Sequence, residues 1–191
     1  TREARDWSSD VCSSDLRSAA VTILARSATG SSALACDLED ILSLTTTIKK
    51  EIDANGAFEV LVNNSAGPPA GPLLEAAPAD FEKALRRHLL ASHTLVQLLL
   101  PGMRKAGYGR IINIISTSVR EPIPGLGVSN TVRGAMAAWA KTLSRELPPG
   151  VTINSILPGY TATRRLEELK QTLAEQRGVT PGAVEEAWLA T

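Results

Sequence analysis

Cysteine is scarce in this chain, with two in 191 residues, so no disulfide framework can staple it. The two, Cys12 and Cys36, form no metal-spaced cluster with the two histidines, His88 and His93. Neither sign of charge is in excess. Twenty Lys and Arg balance twenty Asp and Glu, and no basic run marks a helix face or a tail, so the electrostatic footprint of a nucleic-acid binder is missing. Long apolar runs are missing too: Leu95 to Leu100 is broken by Gln97 and falls far short of the roughly 20 residues of a membrane helix. What is present is an ordinary globular composition, 43% hydrophobic and 21% charged, enough for one sizeable core. The chain reads as one domain from a reducing, cytoplasmic compartment, with neither nucleic acid nor membrane as partner.

The two ends read as truncated. Residues 1–17, TREARDWSSDVCSSDLR, hold a near-duplicated Ser-Ser-Asp unit at 8–10 and 13–15 and have neither helical nor strand periodicity. With no apolar signal region, the segment reads as adapter-like, non-native sequence ahead of a partial domain over 18–191. At the other end, Trp188-Leu189-Ala190-Thr191 stop inside a helical pattern without a cap.

Between the ends, short apolar runs at 19–25, 33–36, 59–62, 110–115 and 151–157 alternate with helical patterns, which argues for a parallel sheet with helices on both faces. Ile111 to Ile115 is nearly all apolar, as in a central strand. One helix after Pro78 carries Phe81, Leu85, His88, Leu89, Ser92, Val96 and Leu99 on a stripe and is expected to end at Pro101-Gly102. Another, about 130–147, carries Met136, Trp139, Ala140, Leu143 and Leu147 and stops at Pro148-Pro149-Gly150. Residues 26–33 are too short for the crossover that a parallel connection normally uses.

In an open parallel sheet, ligands bind beyond the carboxyl ends of the strands. Those positions are Arg26-Ser27, Asp37, the 63–67 segment, Ser116-Thr117-Ser118 and the 158–163 segment. LVNNSAGPP (61–69), GRIINIIS (109–116) and NSILPGYTAT (154–163) resemble, in order and spacing, three segments of the short-chain dehydrogenase/reductases, with 3-oxoacyl-acyl-carrier-protein reductases as the branch most similar to the middle of the chain. The resemblance covers roughly residues 18–166. It implies a doubly wound, Rossmann-like α/β fold, incomplete at both ends, and a domain binding NADP, or NAD, that acts on a small carbonyl or alcohol substrate.

The resemblance also exposes departures. The family's glycine-rich pyrophosphate turn belongs just before residue 18, where the adapter-like sequence stands, so the literal chain is expected to bind a dinucleotide poorly and to be inactive. Ser116 falls at the catalytic serine, but Ser129 stands at the tyrosine position, Arg133 at the lysine and His88 at the helix asparagine. A serine hydroxyl is shorter and far less acidic than a phenol, and Arg133 stays protonated, so it can hold ribose hydroxyls but not relay a proton. His88 has the ordinary pKa for acid–base work, against a role as a hydrogen-bonded histidine on the buried helix face. For the cofactor, Arg26 suits a 2′-phosphate or is a surface charge, and Asp37 contacts adenine or caps a helix before Leu38. Asn63, Ser65, Ala66 and Gly67 permit close approach, although Ala66 replaces a usual glycine. Pro158 and Gly159 shape the last segment, where Thr161 and Thr163 bond the carboxamide or cap the loop.

These residues are compatible with two functions: an NADP-dependent oxidoreductase with a non-standard active site, and a catalytically silent nucleotide-binding or assembly subunit of the same fold. The resemblance further implies a homo-oligomer through helices 79–103 and 130–147.

Overall fold

A computed structural model describes residues 22–26, 33–161 and 164–189. Five short parallel strands form two sheets among these residues. β1 (Ile23–Ala25) pairs with β2 (Ala33–Ala35), and β3 (Val60–Asn63), β4 (Gly109–Ile114) and β5 (Val151–Ile156) pair in that order. β1 and β2 are parallel although residues 26–32 alone join them, shorter than the usual crossover. The strands expected from the apolar runs are all found, and the 19–21 part of the first lies outside the described residues.

The register explains which residues became core. Leu61, Ile111 and Ile153 stand side by side across β3, β4 and β5. They face a cluster built from Leu44 and Ile48 of α1 (Ile41–Asn55), Leu95, Val96, Leu99 and Met103 of α3 (Ala91–Ala106), and Trp139 and Leu143 of α4 (Gly127–Leu143). Leu24 and Leu34 pack on the same cluster, so both sheets share it. Side chains alternate across a strand, and the opposite face leaves Val60, Val62 and Ile156 exposed among the described residues.

Two helix boundaries differ from the sequence expectation. The helix after Pro78 begins as α2 (Pro78–Leu85), widens into a π turn at Arg86–Leu90 and continues as α3 through Pro101 to Ala106. Proline removes only its own N–H, and the extra turn buries Met103 before Gly107, at φ 64°, closes the helix in the left-handed conformation. α4 starts at Gly127, so Ser129 lies inside its first turn, and it ends at Leu143, short of the expected 147. Of the two helical stretches, Leu90 is the one large apolar residue exposed among those described.

Glycine is required between α4 and β5. Gly150 has φ 84°, and a Cβ there would stand 2.1 Å from the Gly107 carbonyl oxygen. Gly150→Ala is therefore expected to cost about 2 kcal/mol or more, read as a lower urea midpoint at unchanged m-value.

Beyond β5, α5 (Arg164–Arg177) and α6 (Pro181–Leu189) bury a separate small cluster of Leu173, Ala174, Val184 and Trp188. Lys170 pins the pair by bonding Glu167 at 2.8 Å and Glu185 at 3.0 Å. The pair meets the rest of the chain where Trp188 stacks on Tyr160, with ring centroids 4.6 Å apart. No helix among the described residues is long and apolar enough to cross a membrane.

Candidate functional site

The polar groups gather beyond the carboxyl ends of β3, β4 and β5, where the backbone leaves the sheet and its side chains need no longer be apolar. Asn63 ends β3, and its Nδ2 donates to Oδ1 of the fully buried Asn113 at 2.8 Å. Asn63 Oδ1 and Asn113 Nδ2 are buried without a hydrogen-bond partner. In the turn that follows, the Ser65 hydroxyl lies 2.6 Å from His88 Nδ1, contributed by the π turn.

Arg133, from the second turn of α4, reaches into the same region. Its Nη1 donates to the Ile114 carbonyl at 2.9 Å and its Nη2 to the Ser65 carbonyl at 3.4 Å, tying the ends of β3 and β4 together. A Cβ on Gly67 would lie 3.9 Å from Nη2, so the guanidinium borders the small-residue turn. Burial lowers the Arg133 pKa to about 10, which leaves the group cationic at neutral pH. Ser129 is half-buried, one turn ahead of Arg133 on α4.

His88 is 2% exposed. Burial, then the cations of Arg133 and Arg87, push its pKa down to about 3, with the Ala66 backbone acting weakly the other way. The ring is neutral at physiological pH, as a hydrogen-bonded histidine on the buried helix face would be.

Ser116 follows β4 in extended conformation and caps the short 3-10 turn Thr117–Val119, its Oγ accepting the Ser118 N–H at 3.1 Å. The Pro158-Gly159 segment docks on that turn, since the Thr117 N–H donates to the Pro158 carbonyl at 3.1 Å. Thr161 bonds back to the Gly159 carbonyl through its own N–H at 2.9 Å, while Thr163 lies outside the described residues. Tyr160 projects from this segment, and burial raises its pKa against the pull of Arg177, keeping the phenol protonated.

At the far side, Arg26 pairs with Asp37 at 3.6 Å, both well exposed. Asp37 does not cap the helix: its Oδ1 accepts the Glu39 N–H at 3.0 Å, and Asp40 caps α1 by accepting the Ser43 N–H at 2.9 Å. The turn at 38–39 sets the helix start three residues later than Leu38, because Asp37 spends its carboxylate on that turn.

The structure thus joins Ser65, His88 and Arg133 directly, places Ser116 beside the Pro158-Gly159 segment, and leaves Arg26 and Asp37 as a separate pair. Three participants went unnoticed in the sequence. Asn113 was legible as a polar residue inside an apolar strand. The Arg87 pairing with Glu39 and the Asn130 Nδ2 bond to the Ile123 carbonyl, 2.9 Å, carry no local signal.

Comparison with known proteins follows the same residues. The short chain dehydrogenase family model matches residues 9–174, beginning inside the segment set apart above. The 2,3-dihydroxy-2,3-dihydro-p-cumate dehydrogenase of Pseudomonas putida is 30% identical over 177 residues, 91% of this chain and 68% of that protein. The ketoacyl reductase HetN of a Nostoc species is 29% identical over 83% of this chain and 57% of its own length. This chain therefore spans little more than half of some relatives it matches. In fold it is similar to the L-sorbose reductase of Gluconobacter frateurii crystallised with NADPH and L-sorbose, at TM-score 0.70 and 24% identity, covering 79% of this chain and 58% of that one.

Proposed function

This chain belongs to the short-chain dehydrogenases, and we propose that it is the central part of an NADP-dependent oxidoreductase that moves hydride between a nicotinamide and a carbonyl or alcohol. The supporting observation is the buried, cationic Arg133 at the junction of Ser65 and Ile114, where a ribose-holding cation belongs in this family. The described residues fit such a cofactor: Gly67 leaves room beside Arg133, and Asn63 Oδ1 is a buried acceptor lacking a donor. Arg133 would hold the nicotinamide ribose. Asn63, Ser65, Ala66 and Gly67 would line its approach, Pro158, Gly159, Thr161 and Thr163 the carboxamide side, and Asp37 the adenine. The basic Arg26 favours NADP over NAD. The nicotinamide supplies the redox chemistry when bound.

The chain's own work is then orientation. Ser116 positions the substrate carbonyl, and Ser129 and Arg133 occupy the positions of the family's tyrosine and lysine. Neutral His88 cannot serve as an imidazolium acid near pH 7, so the proton comes through water. Carbonyl-dependent NADPH oxidation by the intact protein tests this reading. Ser116→Ala is expected to slow turnover about 10²-fold with little change in cofactor binding. Equal turnover by both forms would remove Ser116 from the chemistry.

One observation favours a second reading, a silent nucleotide-binding or assembly subunit: among the described residues around Ser116, Ser129 and Arg133, His88 is the histidine, and its pKa is lowered to about 3. Cofactor binding without turnover across a broad panel of carbonyl compounds would select it. Helices 79–103 and 130–147 remain the surface we assign to a homo-oligomer, with sedimentation as its check.

A further inference from the structure

The turn after β3 also borders a cleft of about 380 Å³, lined across from Gly67 by the helix face carrying Asp80, Lys83, Arg87 and His88. One oxygen of each nearby carboxylate is engaged. Asp80 Oδ2 receives the Ala77 N–H at 3.0 Å, and the Glu39 carboxylate receives Arg87 Nη2. The donors are not. Arg87 Nε and His88 Nε2 are buried without a hydrogen-bond partner, and Lys83 forms no ion pair among the described residues.

We propose that this cleft binds the oxyanion of a small carboxylate or phosphate compound, with Arg87 Nε, His88 Nε2 and Lys83 Nζ as donors. The Ser65 hydroxyl can either donate to or accept from His88 Nδ1, so the neutral ring can carry its proton on Nε2 and present it to the anion. An anion supplies what two buried nitrogens lack, and the charge-assisted bonds it forms are the strong kind. The Glu39 partner holds the guanidinium in place, leaving the Nε edge for a ligand. The volume suits a small metabolite rather than a dinucleotide. None of this depends on hydride transfer.

The test uses the whole chain labelled with ¹⁵N-histidine. Malonate and inorganic phosphate are titrated separately against chloride at constant ionic strength, with His93 as an internal control. The expected result is a saturable shift of the His88 ring resonances with at least one of the two, and which one responds identifies the ligand as carboxylate or phosphate. Lys83→Met, at an exposed position, is expected to weaken that binding about fivefold, and Arg87→Gln about tenfold. Absence of a saturable His88 response to either anion overturns the proposal, as does binding unchanged in Lys83→Met.

Discussion

Lowering the pH from 6.5 to about 4.5 is expected to remove roughly 2 kcal/mol of folding stability through His88 alone. The sign follows from the direction of its shift. The folded pKa of about 3 lies below the ordinary 6.5, so the unfolded chain takes up the proton first. Stability contributed by the neutral ring is full above pH 6.5 and falls by about 1.4 kcal/mol per pH unit as the pH drops toward 3. Folded His88 resists protonation because the ring is 2% exposed and is flanked by the cations of Arg133 and Arg87. His88→Asn keeps a side-chain group able to bond Ser65 and removes the titration. Urea melts of both proteins across this window give the measurement, and any other titrating group acts equally on each. Parallel losses of stability in the two proteins would show that His88 is not the group responsible.

Arg133→Ala is expected to lower stability by about 3 kcal/mol in the absence of any ligand. Two carbonyls, those of Ile114 and Ser65, receive donors from this one side chain, and both lie where strands leave the sheet. An acceptor that solvent does not reach costs about 1–3 kcal/mol when its donor is removed. Arg133→Lys retains the charge, but a single ammonium on a straight stem does not reproduce a planar fork that spans two strands, so partial recovery is expected. An unchanged melting midpoint for Arg133→Ala would mean that solvent satisfies both carbonyls. The charge and the fork then have separable consequences: if the lysine variant recovers stability but not NADPH affinity, the fork geometry serves the cofactor.

The sheet was legible because its signals are local. Ile111-Ile112-Asn113-Ile114 announces a buried strand by composition, and the β3 and β5 runs are bounded by turn-forming residues. The helix ends were less legible, since Pro101 reads as a stop in sequence while the burial of Met103, which carries the helix past it, depends on the β4 side of the fold. Asp37 reads as a plausible cap in sequence, but the turn at 38–39 takes its carboxylate and leaves the cap to Asp40. In the site, the resemblance brought Ser116, Ser129, Arg133 and His88 into view one at a time. It did not reveal that Ser65 and His88 bond each other, because a contact between residues 23 apart in sequence leaves no trace in spacing. Arg87 and Glu39, 48 apart, were invisible for the same reason.

The separate cluster under α5 and α6 has an evolutionary consequence. Leu173, Ala174, Val184 and Trp188 pack among themselves and not with the residues beneath the sheet, so mutations there are filtered by a different set of neighbours. Sites more than about 10 Å apart that share no partners change stability nearly independently. The helical pair can therefore drift in sequence, altering the wall that Trp188 presents to Tyr160, while the strands and the α4 helix that position Ser65, Ser116 and Arg133 stay under their own selection. Such a division lets one scaffold explore new ligands without first losing its ability to fold.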